Sequence, residues 1–150
     1  MEVFRISIES HAGKLSSSGR ANRWNIHGQK VIYTGSSRSL STLELIVHRS
    51  AIVPAANYKV SVISIDENES LVKQVSNNQL PEEWRTLVAY SFLQNIGARW
   101  YLSQETLILK VPSAVIPFEY NYIINTEHPH FEKNIQVVRI EDYFWDNRLF

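Results

Sequence analysis

Two kinds of side chain in this sequence have the chemistry a reactive site needs. The first is a carboxylate, Glu44, within Ser37 to Ala51, a segment that reads as a helix with Pro54 beyond its end. At about 100° per residue, Leu40, Leu43, Val47 and Ala51 form one apolar stripe, and Glu44 falls at its edge. A carboxylate beside a core-facing stripe costs free energy unless it is hydrogen-bonded, paired or functional. Two readings stay open. Ser41 and Glu44 have the S-x-x-E spacing of a capping box, which starts the helix at Ser41 and gives the carboxylate a structural job. Ser36, Ser37 and Ser39 are rival caps that keep a longer helix, and Glu44 is then a carboxylate able to stabilise developing positive charge.

The second kind is the guanidinium group. Arg23 precedes Trp24 and Asn25 in a stretch rich in Gly, Ser and Asn, with Arg5 and Arg20 upstream. Such a loop can hold phosphate or carboxylate with side-chain forks and backbone N–H groups together. The structural alternative for Arg23 is stacking on the neighbouring Trp or exposure to solvent. Arg5 lies between Phe4 and Ile6 in an alternating run, so it faces away from the apolar set, toward solvent or a cleft. Tyr33 closes a short apolar run, and its ring could stack on a flat heterocycle or simply pack. Ser113 follows Val111-Pro112 without the G-x-S-x-G of a strained nucleophile, so it reads as a hydrogen-bonding serine. His128-Pro129-His130 lacks the acids and spacing of a metal site, and no metal is expected.

The elements that position these groups follow from patterning. Val3 to Ile8 alternates as a strand, and residues 9 to 29 form a long polar loop of the kind usually kept for function. Lys30–Thr34, Tyr58–Ile65, Leu71–Val75, Thr106–Val111, Tyr120–Asn125 and Ile135–Ile140 read as further strands. Pro81 opens a helical stretch to about Ser103, with an interruption expected at Gly97. Irregular mixing of helices and strands predicts an α+β domain with a mixed sheet, one domain over residues 1–150. There is no GxGxxG and no GxxxxGK[ST].

Composition excludes several classes. With no cysteine the chain has no disulfide, no cysteine-ligated metal and no thiol nucleophile. Fifteen basic residues balance fifteen acidic ones and no basic run occurs, which argues against direct binding of duplex DNA. The opening MEVFRISIES does not read as a signal peptide, and no apolar run is long enough for a membrane span. A cytoplasmic location is expected.

Taken in order, the residues carry a resemblance. Phe4-Arg5-Ile6, Ser18-Gly19-Arg20-Ala21, Asn22-Arg23-Trp24-Asn25-Ile26-His27-Gly28, Val31-Ile32-Tyr33-Thr34 and Leu43-Glu44-Leu45-Ile46-Val47-His48 resemble blocks of the RES domain. So do Ile96-Gly97-Ala98-Arg99-Trp100, Val111-Pro112-Ser113-Ala114-Val115-Ile116-Pro117, Asn121-Tyr122-Ile123-Ile124-Asn125, His128-Pro129-His130-Phe131 and Asp146-Asn147-Arg148-Leu149. These blocks cover nearly the whole chain. One departure is visible: the family's Gly-Gly before Arg-Trp-Asn is Ala21-Asn22 here, and Asn tolerates left-handed backbone better than most residues.

The resemblance implies an ADP-ribosyltransferase-like fold, a split mixed sheet around an NAD cleft. It implies the toxin half of a bacterial toxin–antitoxin pair that consumes NAD as substrate, with no other cofactor. The family's Arg, Glu and Ser correspond to Arg23, Glu44 and Ser113, and Arg5 and Tyr33 match two further positions of the NAD pocket. By that analogy Glu44 acts on the ribose, Arg5 and Arg23 hold the pyrophosphate, Tyr33 stacks near the nicotinamide and Ser113 positions it. The partner implied is an Xre-type helix-turn-helix antitoxin, through which alone the toxin meets DNA, and a homodimer is implied as well. Two rivals use the same fold: a mono-ADP-ribosyltransferase acting on a protein or nucleic acid, and a non-catalytic interaction module.

Overall fold

Paired apolar residues, rather than strict alternation, mark the central strands: Val31-Ile32, Ile108-Leu109 and Ile123-Ile124. In the computed structural model, which describes residues 1–48 and 56–149, the two members of each pair point to opposite faces of one sheet and both faces are covered. Val31, Leu109 and Ile123 pack with Trp24, Leu93 and Trp100 on one face, and Ile32, Ile108 and Ile124 pack with Val3, Ile63 and Ile65 on the other.

The strands are β1 (Glu2–Ile8), β2 (Val31–Gly35), β3 (Tyr58–Ile65), β4 (Val72–Gln74), β5 (Ile108–Pro112), β6 (Tyr120–Asn125) and β7 (Ile135–Asp142). The helices are α1 (Arg38–Val47), α2 (Tyr90–Ser103) and the single turn α3 (Phe131–Asn134). The strand order is β4-β5-β6-β2-β1-β3-β7; β4 and β5 are parallel and the other neighbours antiparallel. The expected α+β architecture with a mixed sheet is the observed one.

The expected split lies between β1 and β2. These strands join only at Phe4 and Gly35, whereas β1 pairs with β3 at every position from Glu2 to Ile8. Beyond the single junction the two strands part, and a cavity of about 590 Å³ opens between them.

Three expectations need correction. The helix expected over Ser37 to Ala51 is capped by Ser37, whose side chain accepts from the Leu40 N–H, and its last helical residue is Val47. Ala51 lies outside the described residues. Ser41 is therefore not the cap: it sits in the second turn, with its hydroxyl on the carbonyl oxygens of Phe4 and Ser37. The apolar stripe is also shorter than expected, because only Leu40 and Ser41 are buried while Val47 is 61% exposed. The helix meets the sheet through its first turns alone. Finally, the stretch from Pro81 begins with turns and a short 3-10 segment, Leu87–Ala89, and α2 then runs unbroken through Gly97.

An ion-pair network fixes the start of α1. Arg38 grips Glu141 of β7 with two bonds of 2.6 and 2.7 Å, and Arg139 bridges Glu141 and Glu2. A cation in the first turn opposes the helix dipole, and Glu141 offsets that. Hydrogen bonds from Arg38 and Arg139 hold the Glu141 carboxyl at about 2, below its ordinary value of 4.5. Its contribution to stability is present in full above 4.5 and is lost as the pH falls through about 2. Glu141→Gln is accordingly expected to melt slightly below the native chain above pH 5, with the two converging toward pH 2. Thermal melts across that range check it, and the gap should shrink in high salt because the pairs are exposed.

Candidate active site

The cavity borrows its walls from both sides of the split. Phe4, Arg5 and Ile6 of β1 face Val31 to Gly35 of β2; Glu44 and His48 reach in from α1, Asn121 from β6, and Ser17, Ser18 and Arg20 from the long loop. Gly35 is what lets α1 settle on the sheet. A Cβ there would lie 2.5 Å from Ser41 Oγ and 3.2 Å from the Ser41 nitrogen. With no side chain at that position, the second turn of α1 closes on β2 and carries Glu44 over β6.

There the carboxylate is held from one side. Ser113 Oγ, at the end of β5, donates to Glu44 Oε1 at 3.0 Å, and Asn121 Nδ2 donates to the same oxygen at 2.6 Å. Ser113 is buried, and its oxygen accepts from the N–H groups of Val115 and Ile116 at 3.0 and 3.1 Å. Both of its lone-pair directions are therefore filled, and its proton is committed to Glu44. A serine so arranged is not a nucleophile; it orients a carboxylate. Among the described residues Oε2 of Glu44 has no hydrogen-bond partner, so the free oxygen is the one available to a ligand. The capping-box reading of Glu44 does not hold, since Ser37 caps the helix.

Tyr33 lines the cavity, and its hydroxyl is already engaged. Its hydroxyl donates to Asn25 Oδ1 at 2.8 Å and accepts from the Trp24 N–H at 3.0 Å. Burial drives its pKa far above the ordinary value, so the group stays neutral and works as a flat surface rather than as an acid or base. Arg5 is the basic group of the β1 wall. Nη1 donates to the carbonyl oxygens of Lys14 and Ser16, at 3.1 and 3.4 Å, leaving Nε and Nη2 without acceptors among the described residues. It has no carboxylate partner there either, and burial lowers its pKa, the mark of a cation short of counter-charge.

Arg23 is not brought to the cavity. Its Nη1 donates to the carbonyl oxygens of Trp84 and Arg85, at 3.1 and 3.0 Å, and its guanidinium lies 4.8 Å from the Tyr90 ring centroid. It ties the loop before β2 to the approach to α2, and among the described residues its Nε and Nη2 have no acceptor. Arg23→Ala is expected to cost about 2 kcal/mol through loss of two charge-assisted bonds. A melting shift with little change in catalytic rate checks that placement.

Asn121 was not among the residues singled out from sequence. The signal was there, since Asn121, Ile123 and Asn125 share one face of β6 and a polar side chain flanks each end of an apolar position. His128 is buried and engaged with the Gln104 carbonyl and the His130 N–H, and among the described residues no cluster of potential metal ligands occurs.

The arrangement has polarity. Glu44 and Asn121 sit over β6, and Arg5 belongs to β1, two strands away, roughly 10 Å at ordinary strand spacing. A cavity lined by a carboxylate, a guanidinium and an aromatic ring suits an extended ligand with a cationic or cation-forming part and an anionic part.

The chain has relatives among known proteins. The RES domain family model matches residues 2–146. A Prs ADP-ribosylating toxin of Sphingobium sp. (strain YBL2) is 33% identical over 142 residues, covering 92% of this chain and 88% of that protein. A protein named Toxin Res from Photorhabdus laumondii is 32% identical over 127 residues, covering 85% and 80%. Among solved structures, a chain of the M. tuberculosis MbcT–MbcA toxin–antitoxin complex matches with a TM-score of 0.72 over 95% of this chain and 83% of that one, at 16% identity, a likeness of fold.

Proposed function

The chain belongs to the RES domain family, and from that premise we propose that it is the toxin of a bacterial toxin–antitoxin pair and breaks the nicotinamide–ribose bond of NAD. The observation that carries this reading is the half-satisfied Glu44 on the cavity wall, with Oε1 fixed by Ser113 and Asn121 and Oε2 without a partner among the described residues. When the bond breaks, its electron pair leaves with nicotinamide, which departs neutral, and positive charge develops on the ribose. Oε2 accepts from a ribose hydroxyl and favours that charge electrostatically. The Tyr33 ring stacks near the nicotinamide, and Ser113 and Asn121 act as positioning residues. Arg5 holds the pyrophosphate through its free N–H groups. Arg23 supports the wall from outside. Water or phosphate then attacks the ribose carbon and loses a proton, giving ADP-ribose or its phosphorylated form.

Control would come from an Xre-type helix-turn-helix antitoxin that covers the cleft and brings the pair to operator DNA, in the cytoplasm, with the toxin itself a homodimer. The name of the Sphingobium relative, Prs ADP-ribosylating toxin, favours a second reading, ADP-ribosyl transfer to a protein or nucleic acid. NAD labelled in the adenosine part separates the two. Free labelled ADP-ribose or its phosphate supports cleavage. Label retained on a macromolecule, with none free, overturns it in favour of transfer.

A further inference from the structure

A diphosphate carries two negative charges, and within the cavity Arg5 supplies one positive charge. Arg23 adds none to this wall, because it is not among the residues that line the cavity. Arg20 does line the cavity. Its backbone is anchored at both ends: the N–H donates to Ser18 Oγ at 3.3 Å and the carbonyl accepts from Asn25 Nδ2 at 2.9 Å. Its side chain has no hydrogen bond or ion pair among the described residues. The result is a fixed Cα carrying an uncommitted guanidinium.

The neighbouring hydroxyls point to the same use. Ser17 Oγ accepts from the Gly19 N–H at 3.2 Å and Ser18 Oγ from the Arg20 N–H, which leaves both hydroxyl protons to donate. Gly19, at φ 70°, turns the chain, and its carbonyl accepts from the Gly28 N–H at 2.8 Å, pinning the loop. Donors from Arg20, Ser17 and Ser18 thus stand on the loop side of the cavity, and Arg5, on β1, has its own side chain bonded to that loop through Lys14 and Ser16. Glu44 is the acidic residue lining the cavity, and it lies across β2 from Arg5. Two cations at one end and one anion at the other mirror a ligand with a diphosphate and a cationic ring.

We propose that Arg20, with the hydroxyls of Ser17 and Ser18, is the second half of a diphosphate clamp whose first half is Arg5, and that this clamp selects diphosphate ligands over nucleosides. The proposal rests on the NAD-cleaving reading for its natural ligand, but the clamp can be tested separately. Calorimetric titrations at low fixed salt use ADP and adenosine with the native chain and its Arg20→Ala and Arg20→Lys variants, and NAD with the same set on a Glu44→Gln background. Arg20→Ala is expected to weaken ADP and NAD roughly tenfold or more, to leave adenosine unchanged and to keep the native melting midpoint, with Arg20→Lys in between. Native-like ADP affinity in Arg20→Ala overturns the clamp and leaves the NAD reading standing. Arg20-dependent ADP binding without NAD binding keeps the clamp and removes the NAD reading. If the native chain binds neither ADP nor NAD, both are overturned.

Discussion

Glu44→Gln is expected to abolish NAD cleavage, lowering kcat on the order of 10³-fold, with the fold intact and KM little changed. The substitution is close to isosteric. The amide oxygen of Gln can still accept from Ser113 and Asn121, which now converge on Oε1 at 3.0 and 2.6 Å. What changes is the other end, where an acceptor becomes an NH2 donor and the negative charge is gone. The lost interaction is one made with charge that exists only in the transition state, so the effect falls on kcat. Initial rates of nicotinamide release, set beside a melting curve, check it. A folded Gln variant that releases nicotinamide at the native rate would remove Glu44 from the chemistry.

Gly97→Ala is expected to be the most damaging small change away from the cavity. A Cβ on Gly97 would stand 1.6 Å from the Trp24 carbonyl oxygen and 2.7 Å from its carbonyl carbon. Both obstacles are backbone, so no side-chain rotation relieves them. The opposing effect is helix propensity, which favours Ala over Gly by about 1 kcal/mol in a helix interior. Overpacking of this kind costs about 3 kcal/mol or more, so the clash wins. For a chain of this size that corresponds to a fall of roughly 10 °C in melting temperature. A variant melting at or above the native temperature would show that α2 does not press on the Trp24 backbone. Since the Trp24 N–H holds the Tyr33 hydroxyl, loss of this contact should also loosen the aromatic floor of the cavity.

These two positions show how far the residues could be read before the structure. Glu44 was legible as an anomaly, a carboxylate at the edge of an apolar stripe, but spacing alone left a cap and a functional group equally open. What decided between them was the N-cap at Ser37 and the closeness of Gly35 to Ser41, a contact between residues brought together by packing. Val47 was misplaced for the same reason: periodicity marks a stripe but not how far along the helix the sheet reaches. Gly97 read as a helix break because Gly is a poor helix former, whereas its actual role is to admit another segment's backbone, which no local pattern encodes. The strands were recovered well, since paired apolar residues and alternation are local signals, with ends moving by a residue or two. Arg5, Tyr33 and Glu44 do meet at one cavity, and Ser113 reaches it through Glu44. Arg23 is elsewhere because Trp84 and Arg85, some sixty residues on, offer it carbonyls. Asn121 stood in a matching block without a role of its own, because an amide on a strand is commonplace until a carboxylate is found 2.6 Å from it.

The central claim, that this cavity cleaves NAD, is tested most directly by following NAD and nicotinamide together over time with the purified chain, freed of any antitoxin, in phosphate buffer. NAD is expected to fall and nicotinamide to rise in equal amounts, beyond one turnover per chain, and neither should change with the Glu44→Gln protein. Stable NAD in the presence of folded native protein would contradict it.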